Sequence, residues 1–136
     1  MRFKKLNNFA YILKLERGEE IMEVIFKFCK QKKIYAGYFL GLGAVNSVRL
    51  AWYSIINKKY TERKIKKPLE IVSLAGIITA KKIHAHIVLS SAMMKTYGGH
   101  LIQARISGAC EIILTPGEGA IARKYDEAIG LELLDF

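Results

Sequence analysis

The sequence predicts an α+β fold: a mainly antiparallel sheet with one main helix packed on it. Strand-like alternation and β-rich runs recur from Phe9 to Leu114, one segment repeats apolar residues at helical spacing, and turn residues separate the runs. A chain of 136 residues suits a single domain with its own core, and 51% apolar with 25% charged residues is globular rather than disordered composition.

In chain order, Phe9, Tyr11, Leu13 and Leu15 alternate with Ala10, Ile12 and Lys14, which predicts a strand. A helix follows Gly18. Glu19, Glu20 and Glu23 load its first turns and Lys30, Lys32 and Lys33 its last, both matching the helix dipole. Ile21, Val24, Ile25 and Phe28 form its apolar stripe, widened by Met22 and Cys29. The run Ile34 to Gly43 carries glycines at 37, 41 and 43, which reads as a bend; a phosphate-cradling loop would need a Lys-Ser/Thr pair that does not follow.

From Val45 alternation resumes, with Val48, Leu50, Trp52 and Ser54 expected on one face. Ile56 to Tyr60 reads as a hairpin connection, Tyr60 to Ile65 as the return strand, and Lys66-Lys67-Pro68 as its end. Leu69 to Thr79, Ile83 to Leu89, Gly98 to Ile106 and Cys110 to Leu114 read as further strands, with turns at Lys81-Lys82 and Ser91 to Met94. The core is expected over about residues 9–115. In the tail, 116–136, Gly117 and Gly119 predict a loop and Arg123 to Ala128 one helical turn. Leu131, Leu133 and Leu134 are anchors for docking on the body or on a neighbouring subunit.

Lysine and arginine number 22 against 12 acidic residues, a net charge of +10. Such a surface favours nucleic acid, anionic membrane or acidic ligands at low salt, although a heat-adapted surface rich in lysine has the same balance. Lys58, Lys59, Arg63, Lys64, Lys66 and Lys67 fall within one hairpin, with Tyr53 and Tyr60 near its two sides. These residues are the candidate nucleic-acid contacts, and binding through them is expected to be weak, sequence-tolerant and salt-sensitive. Lysines on an exposed strand also guard against edge-to-edge aggregation. Cys29 and Cys110, each among apolar residues, suit a reducing compartment and read as small buried hydrophobes. The basic N-terminus is followed by no signal-peptide core, and the longest apolar run is glycine-broken and too short for a membrane helix. A cytoplasmic protein with no membrane partner is expected.

The sharpest chemical signal is the placing of the three histidines. His84 and His86 are two apart, so on a strand both leave the same face. With a turn near Ser91 to Met94, His100 on the returning strand falls opposite His86. Three imidazoles with an open fourth position suit a zinc ion, whose bound water is then acidic enough to supply hydroxide near neutral pH. The alternative is that one or more are surface or interface hydrogen-bonders. A reaction would further need a nearby base or supporting carboxylate. Glu70 and Glu111 are candidates for it, Glu70 reading more simply as an ion pair or cap at a strand start. No serine nucleophile elbow is present, and neither cysteine sits where a thiolate would form.

Several blocks resemble one family. Gly18-Glu19-Glu20-Ile21, Phe28-Cys29 and Gly41-Leu42-Gly43-Ala44-Val45 resemble the opening of the PPC domain (plant and prokaryote conserved domain). Glu70 to Gly76, His84 to Ser90 and Gly98-Gly99-His100-Leu101 are similar to its later strands, and Tyr125-Asp126-Glu127 with Gly130-Leu131 to the tails of prokaryotic members. The resemblance implies a compact α+β domain with an antiparallel sheet, assembling as a homotrimer. It also implies, for some prokaryotic members, a metal site on the histidines. Stand-alone prokaryotic members carry a candidate DNA-binding label, while plant members owe their DNA contact to attached AT-hook segments. This chain has no Arg-Gly-Arg-Pro core, and has Lys67-Pro68-Leu69 where plant members have Gly-Arg-Phe. The expectation is therefore a trimeric metal-binding module that holds Zn2+ on His84, His86 and His100, with non-specific DNA binding. The alternative is a metal-dependent enzyme acting on a small substrate through the same site.

Overall fold

The computed structural model describes residues 1–7 and 9–136. Its elements are β1 (Arg2–Asn7), β2 (Ala10–Glu16), α1 (Ile21–Lys32), β3 (Gly37–Ser54), β4 (Lys59–Ile65), β5 (Leu69–Ile78), β6 (Ile83–Ser90), β7 (Thr96–Pro116), β8 (Ala122–Asp126) and β9 (Leu131–Asp135). Among the described residues, seven strands form one sheet in the order β1-β2-β7-β6-β5-β3-β4, and β8 pairs with β9. All these ladders are antiparallel. β7 also pairs with β3, so the ladders β3–β5–β6–β7–β3 close on themselves. The expected fold class, an antiparallel sheet with a single main helix, is the one observed.

The helix is fixed at both ends. Glu20 caps its start, accepting from the amides of Met22 and Glu23, and Lys33 ends it in the left-handed conformation at φ 55°. Glu20 Oε1 also accepts from the Ala104 amide at 2.9 Å, which ties the helix start to the middle of β7. Ile21, Ile25, Phe28 and Cys29 are buried, and Phe28 meets Phe3 and Tyr11 edge to face with ring centroids 5.1 and 5.2 Å away. Leu13, Leu15, Phe39, Leu74, Ile87, Leu89, Ile106 and Ile112 complete the core from the strands. Both cysteines are free and buried there; burial pushes the Cys29 thiol up to about 11 and that of Cys110 to about 12, Glu111 adding to the latter.

Three features depart from the expectations. The apolar run with its glycines does not bend away from the sheet but is the first half of an 18-residue strand, and the irregularity is absorbed as register shifts around Gly41, Gly43 and Val45. Gly43, at φ 152°, is one of two places where β3 runs closest to β7: a Cβ there would lie 2.4 Å from the Ala109 carbonyl oxygen. Trp52 shares a face with Val48 and Leu50, as the unbroken β3–β4 register requires, but it lies beyond the core and is 68% exposed. The last two strands read from sequence are one, β7, which passes through Gly108 without a break. Arg123 to Ala128 is not a helical turn but β8 and the start of its turn to β9. One turn is too short to nucleate a helix, whereas Asp126 closes the hairpin by accepting from the Ile129 amide on Oδ1 and the Gly130 amide on its carbonyl.

The tail hairpin lies against the strands that matter below. The Ala80 amide donates to the Ile121 carbonyl, and the Ile121 amide to that of Tyr35. The Tyr53 hydroxyl donates to the Ile129 carbonyl at 2.8 Å, and Lys58 Nζ to that of Glu127.

Candidate metal centre

β6 presents His84 and His86 outward because Ala85 between them points into the core at 1% exposure. Ala85 faces Gly76 on β5, whose missing side chain is replaced by the ring of Phe39: a Cβ on Gly76 would lie 2.2 Å from Phe39 Cζ. The strand carrying both histidines is thus seated on a buried aromatic. The chain turns at Ser91–Lys95, with the Met94 amide donating to the Ser91 carbonyl, and β7 returns with His100 paired directly to His86. Leu101 beside it is buried, which sends His100 to the outer face as well.

The three imidazoles meet. Ring centroids are 5.0 Å apart for His84–His86 and His84–His100, and 5.6 Å for His86–His100. One ring nitrogen from each lies within 4.8 Å of the others. A tetrahedral ion with ligands at about 2.0–2.1 Å needs nitrogens roughly 3.4 Å apart, a gap that small ring rotations close. His84 and His100 are half-buried and His86 is exposed, so the open side of the triad faces solvent. Burial pushes the His84 pKa down to about 4, helped by His100, His86, Arg123 and Lys82 in turn. Burial, then His86 and Lys82, also lowers that of His100. Neutral imidazole is the form that ligates a metal.

One orphaned atom speaks for a cation here. His100 Nδ1 is buried and meets no hydrogen-bond partner. Buried ring nitrogens are ordinarily satisfied, and a cation held on the triad would account for the exception. Around the triad, Tyr60 lies against His100 with centroids 5.4 Å apart and Tyr53 stacks behind it at 4.8 Å. A cavity of about 350 Å³ opens beside His84 and His86, walled by Tyr38, Leu40, Ala75 and Ile77.

Neither glutamate joins the triad. Glu70 pairs with Ser90, four residues along β6 from His86 and so roughly 13 Å away at about 3.3 Å per residue. Glu111 sits opposite Lys14 and Leu42, eleven residues down β7 from His100, roughly 35 Å by the same rise. The residues that sequence reasoning missed are Arg123 and Lys82. Lys82 was within reach of it, two positions before His84; Arg123 comes from a tail whose fold-back leaves no mark in local spacing.

The basic residues do share one hairpin, β3–β4, but not one surface. Lys59 and Arg63 alternate with Lys64 along β4 and so face opposite sides. Lys58 is held by the tail, and Lys67 donates to the Tyr97 hydroxyl at 2.7 Å while lying 4.5 Å from its ring centroid. Among the described residues, no helix is long and apolar enough to cross a membrane.

Known proteins share this fold over nearly the whole chain. A metal-containing protein from Archaeoglobus fulgidus is 32% identical, with a TM-score of 0.88 over 98% of this chain and 100% of that one. A candidate DNA-binding protein from Bacteroides thetaiotaomicron is 29% identical, with a TM-score of 0.95 over 99% and 96%. A plant- and prokaryote-conserved protein from Pyrococcus horikoshii is 26% identical, with a TM-score of 0.85 over 98% of each. Among curated relatives, the bifunctional protein GlmU of a Synechococcus strain is 30% identical over 127 residues, 91% of this chain, but the chain spans only about a fifth (20%) of that protein's length. The family model of the Plants and Prokaryotes Conserved (PCC) domain matches residues 5–117. That match covers most of the chain, and the chain belongs to that family.

Proposed function

We propose that this PCC-domain chain acts as one domain, a metal-binding module that holds a zinc ion on His84, His86 and His100. The observation that carries the reading is the convergence of the three imidazoles, with ring nitrogens within 4.8 Å of one another. The orphaned His100 Nδ1 and the metal-containing relative from Archaeoglobus fulgidus support it. A bound zinc ion would supply Lewis acidity at its fourth position. Glu70 and Glu111, the carboxylates that the sequence offers as a base, are both remote, and the reading is a binding site rather than a reaction.

Assembly as a homotrimer belongs to the same proposal. On the outer face Tyr38, Leu40, Leu42, Ile77, Val88 and Ile113 are between 40 and 61% exposed, an apolar surface of the kind that subunit contacts cover. DNA contact, supported by the relative from Bacteroides thetaiotaomicron and the charge of +10, would be weak, sequence-tolerant and made through one face of β4, that of Lys64 or that of Lys59 and Arg63.

Metal analysis of protein purified without chelators and dialysed tests the site. One zinc per chain is expected, lost in His84→Ala and His100→Ala variants; a metal-free native protein overturns it. Light scattering should return three times the chain mass of 15.4 kDa. Duplex DNA affinity that is undetectable at low salt, or flat as salt rises, removes the nucleic-acid role.

A further inference from the structure

Two buried side-chain nitrogens without a hydrogen-bond partner are found among the described residues, His100 Nδ1 and Arg123 Nε. Both belong to the same neighbourhood. His84 touches His100 at 5.0 Å between centroids, and Arg123 lies within electrostatic reach of His84. The tail brings it there: Ile121 is hydrogen-bonded to Ala80 and Tyr35, at the approach to β6, and Arg123 follows two residues later. Arg123 is not loose, since its Nη1 donates to the Glu132 carbonyl at 2.7 Å across the β8–β9 hairpin. That bond fixes the guanidinium and leaves an Nε–H with no acceptor. A buried donor in this state is costly, and its cost is removed by an acceptor that arrives from outside.

The two orphans are of opposite kind. An imidazole lone pair lacks a cation; a guanidinium edge lacks an anion. Lys82 adds a second positive charge within reach of both His84 and His100, and the acidic residues Glu70 and Glu111 are too far away to balance it. With zinc on the histidines, the patch carries the ion, Arg123 and Lys82, and no carboxylate is among the charges acting on His84 or His100. Positive charge concentrated in this way beside an open metal position selects an anionic ligand.

From this we infer that the open position of the metal takes a small carboxylate, one oxygen on the ion and the other on the Nε edge of Arg123, with Lys82 adding long-range attraction. The inference rests on the metal reading above. A guanidinium holds its Nε–H in a fixed plane and direction, whereas a single ammonium gives only a point charge.

The test uses the full chain loaded with cobalt(II), whose visible spectrum reports what occupies the fourth position, titrated with acetate. Metal content is measured first for each variant, so that a protein that takes up no cobalt fails the metal reading and is distinguished from failure of the carboxylate site. In the wild-type protein acetate should change the cobalt band saturably. Arg123→Gln should keep one cobalt per chain and weaken acetate by about tenfold or more. Arg123→Lys should fall between, and Lys82→Gln, outside the tail, should weaken it a few-fold through lost attraction. A loaded wild-type protein whose band ignores acetate, or equal acetate affinity in wild type and Arg123→Gln, overturns the inference. Should Arg123→Gln unfold the tail, Lys82→Gln decides: unchanged acetate affinity counts against the site.

Discussion

The β6–β7 hairpin and the β3–β4 hairpin both concentrate one kind of side chain, yet one makes a site and the other a scattered charge. In β6–β7, His84 and His86 stand two apart on one strand and the register sets His100 against His86, so every imidazole leaves the same face. In β3–β4 the strand sends Arg63 and Lys64 to opposite faces, while Lys58, Lys66 and Lys67 lie outside β4 in the segments that flank it. Arg49 spends part of the charge on Glu62, at 3.7 Å. Density of a residue type along the chain does not make a site; spacing against the period of the element does.

The largest expected effect tests the first hairpin directly. Replacing His86 by Ala removes one of three ligands from an otherwise intact face. Its cost to metal affinity should exceed the 10–100-fold that loss of a supporting contact around a metal brings. Dialysed His86→Ala protein should retain no stoichiometric metal, with its circular dichroism unchanged because the residue is exposed. Retention of the metal would mean that the three rings do not act together.

The seat of that hairpin gives the next effect. Gly76→Ala forces a Cβ into the Phe39 ring and should cost about 1–3 kcal/mol, lowering the melting temperature by several degrees. Gly108→Ala, where nothing lies within 4 Å, should stay within about 0.5 kcal/mol. Equal melting temperatures for the two would show that the Phe39 ring moves aside freely. Glu20→Ala follows, at about 1–2 kcal/mol for a helix cap and an orphaned Ala104 amide. Since Ala104 lies four residues beyond His100, chemical denaturation should register this loss while metal stoichiometry holds.

Local pattern made much of the molecule legible. The helix announced itself through Ile21, Val24, Ile25 and Phe28 and its graded charges, and the pairing of His86 with His100 followed from one short turn. What escaped was set by contacts distant in sequence. The register shifts around Gly41, Gly43 and Val45 depend on β3 pairing with both β5 and β7, and Phe39 filling the place of a Gly76 side chain depends on two strands meeting. Arg123 was read as part of a helical turn because five residues carry too little period to tell a short strand from a turn. Its place near His84 is fixed by backbone bonds of Ile121 to Ala80 and Tyr35.

The smallest effect separates cations within the second hairpin. Lys67 is committed to Tyr97 by both a hydrogen bond and its ring, while Lys64 is exposed on the opposite side of the strand from Arg63. A lysine that contacts phosphate releases about one counterion, so its loss lowers the slope of log affinity against log salt by about one. Lys64→Ala should shift the slope for duplex DNA by that amount if its face meets the backbone, and Arg63→Ala should then leave the slope nearly unchanged, because one strand cannot lay both faces on one duplex. Lys67→Ala should leave it unchanged too, its ammonium being held against the protein. Equal shifts for Lys64→Ala and Arg63→Ala would instead show that the duplex follows the strand edge, where both side chains reach it, and the contrast between the two hairpins would narrow to how their charges are aimed.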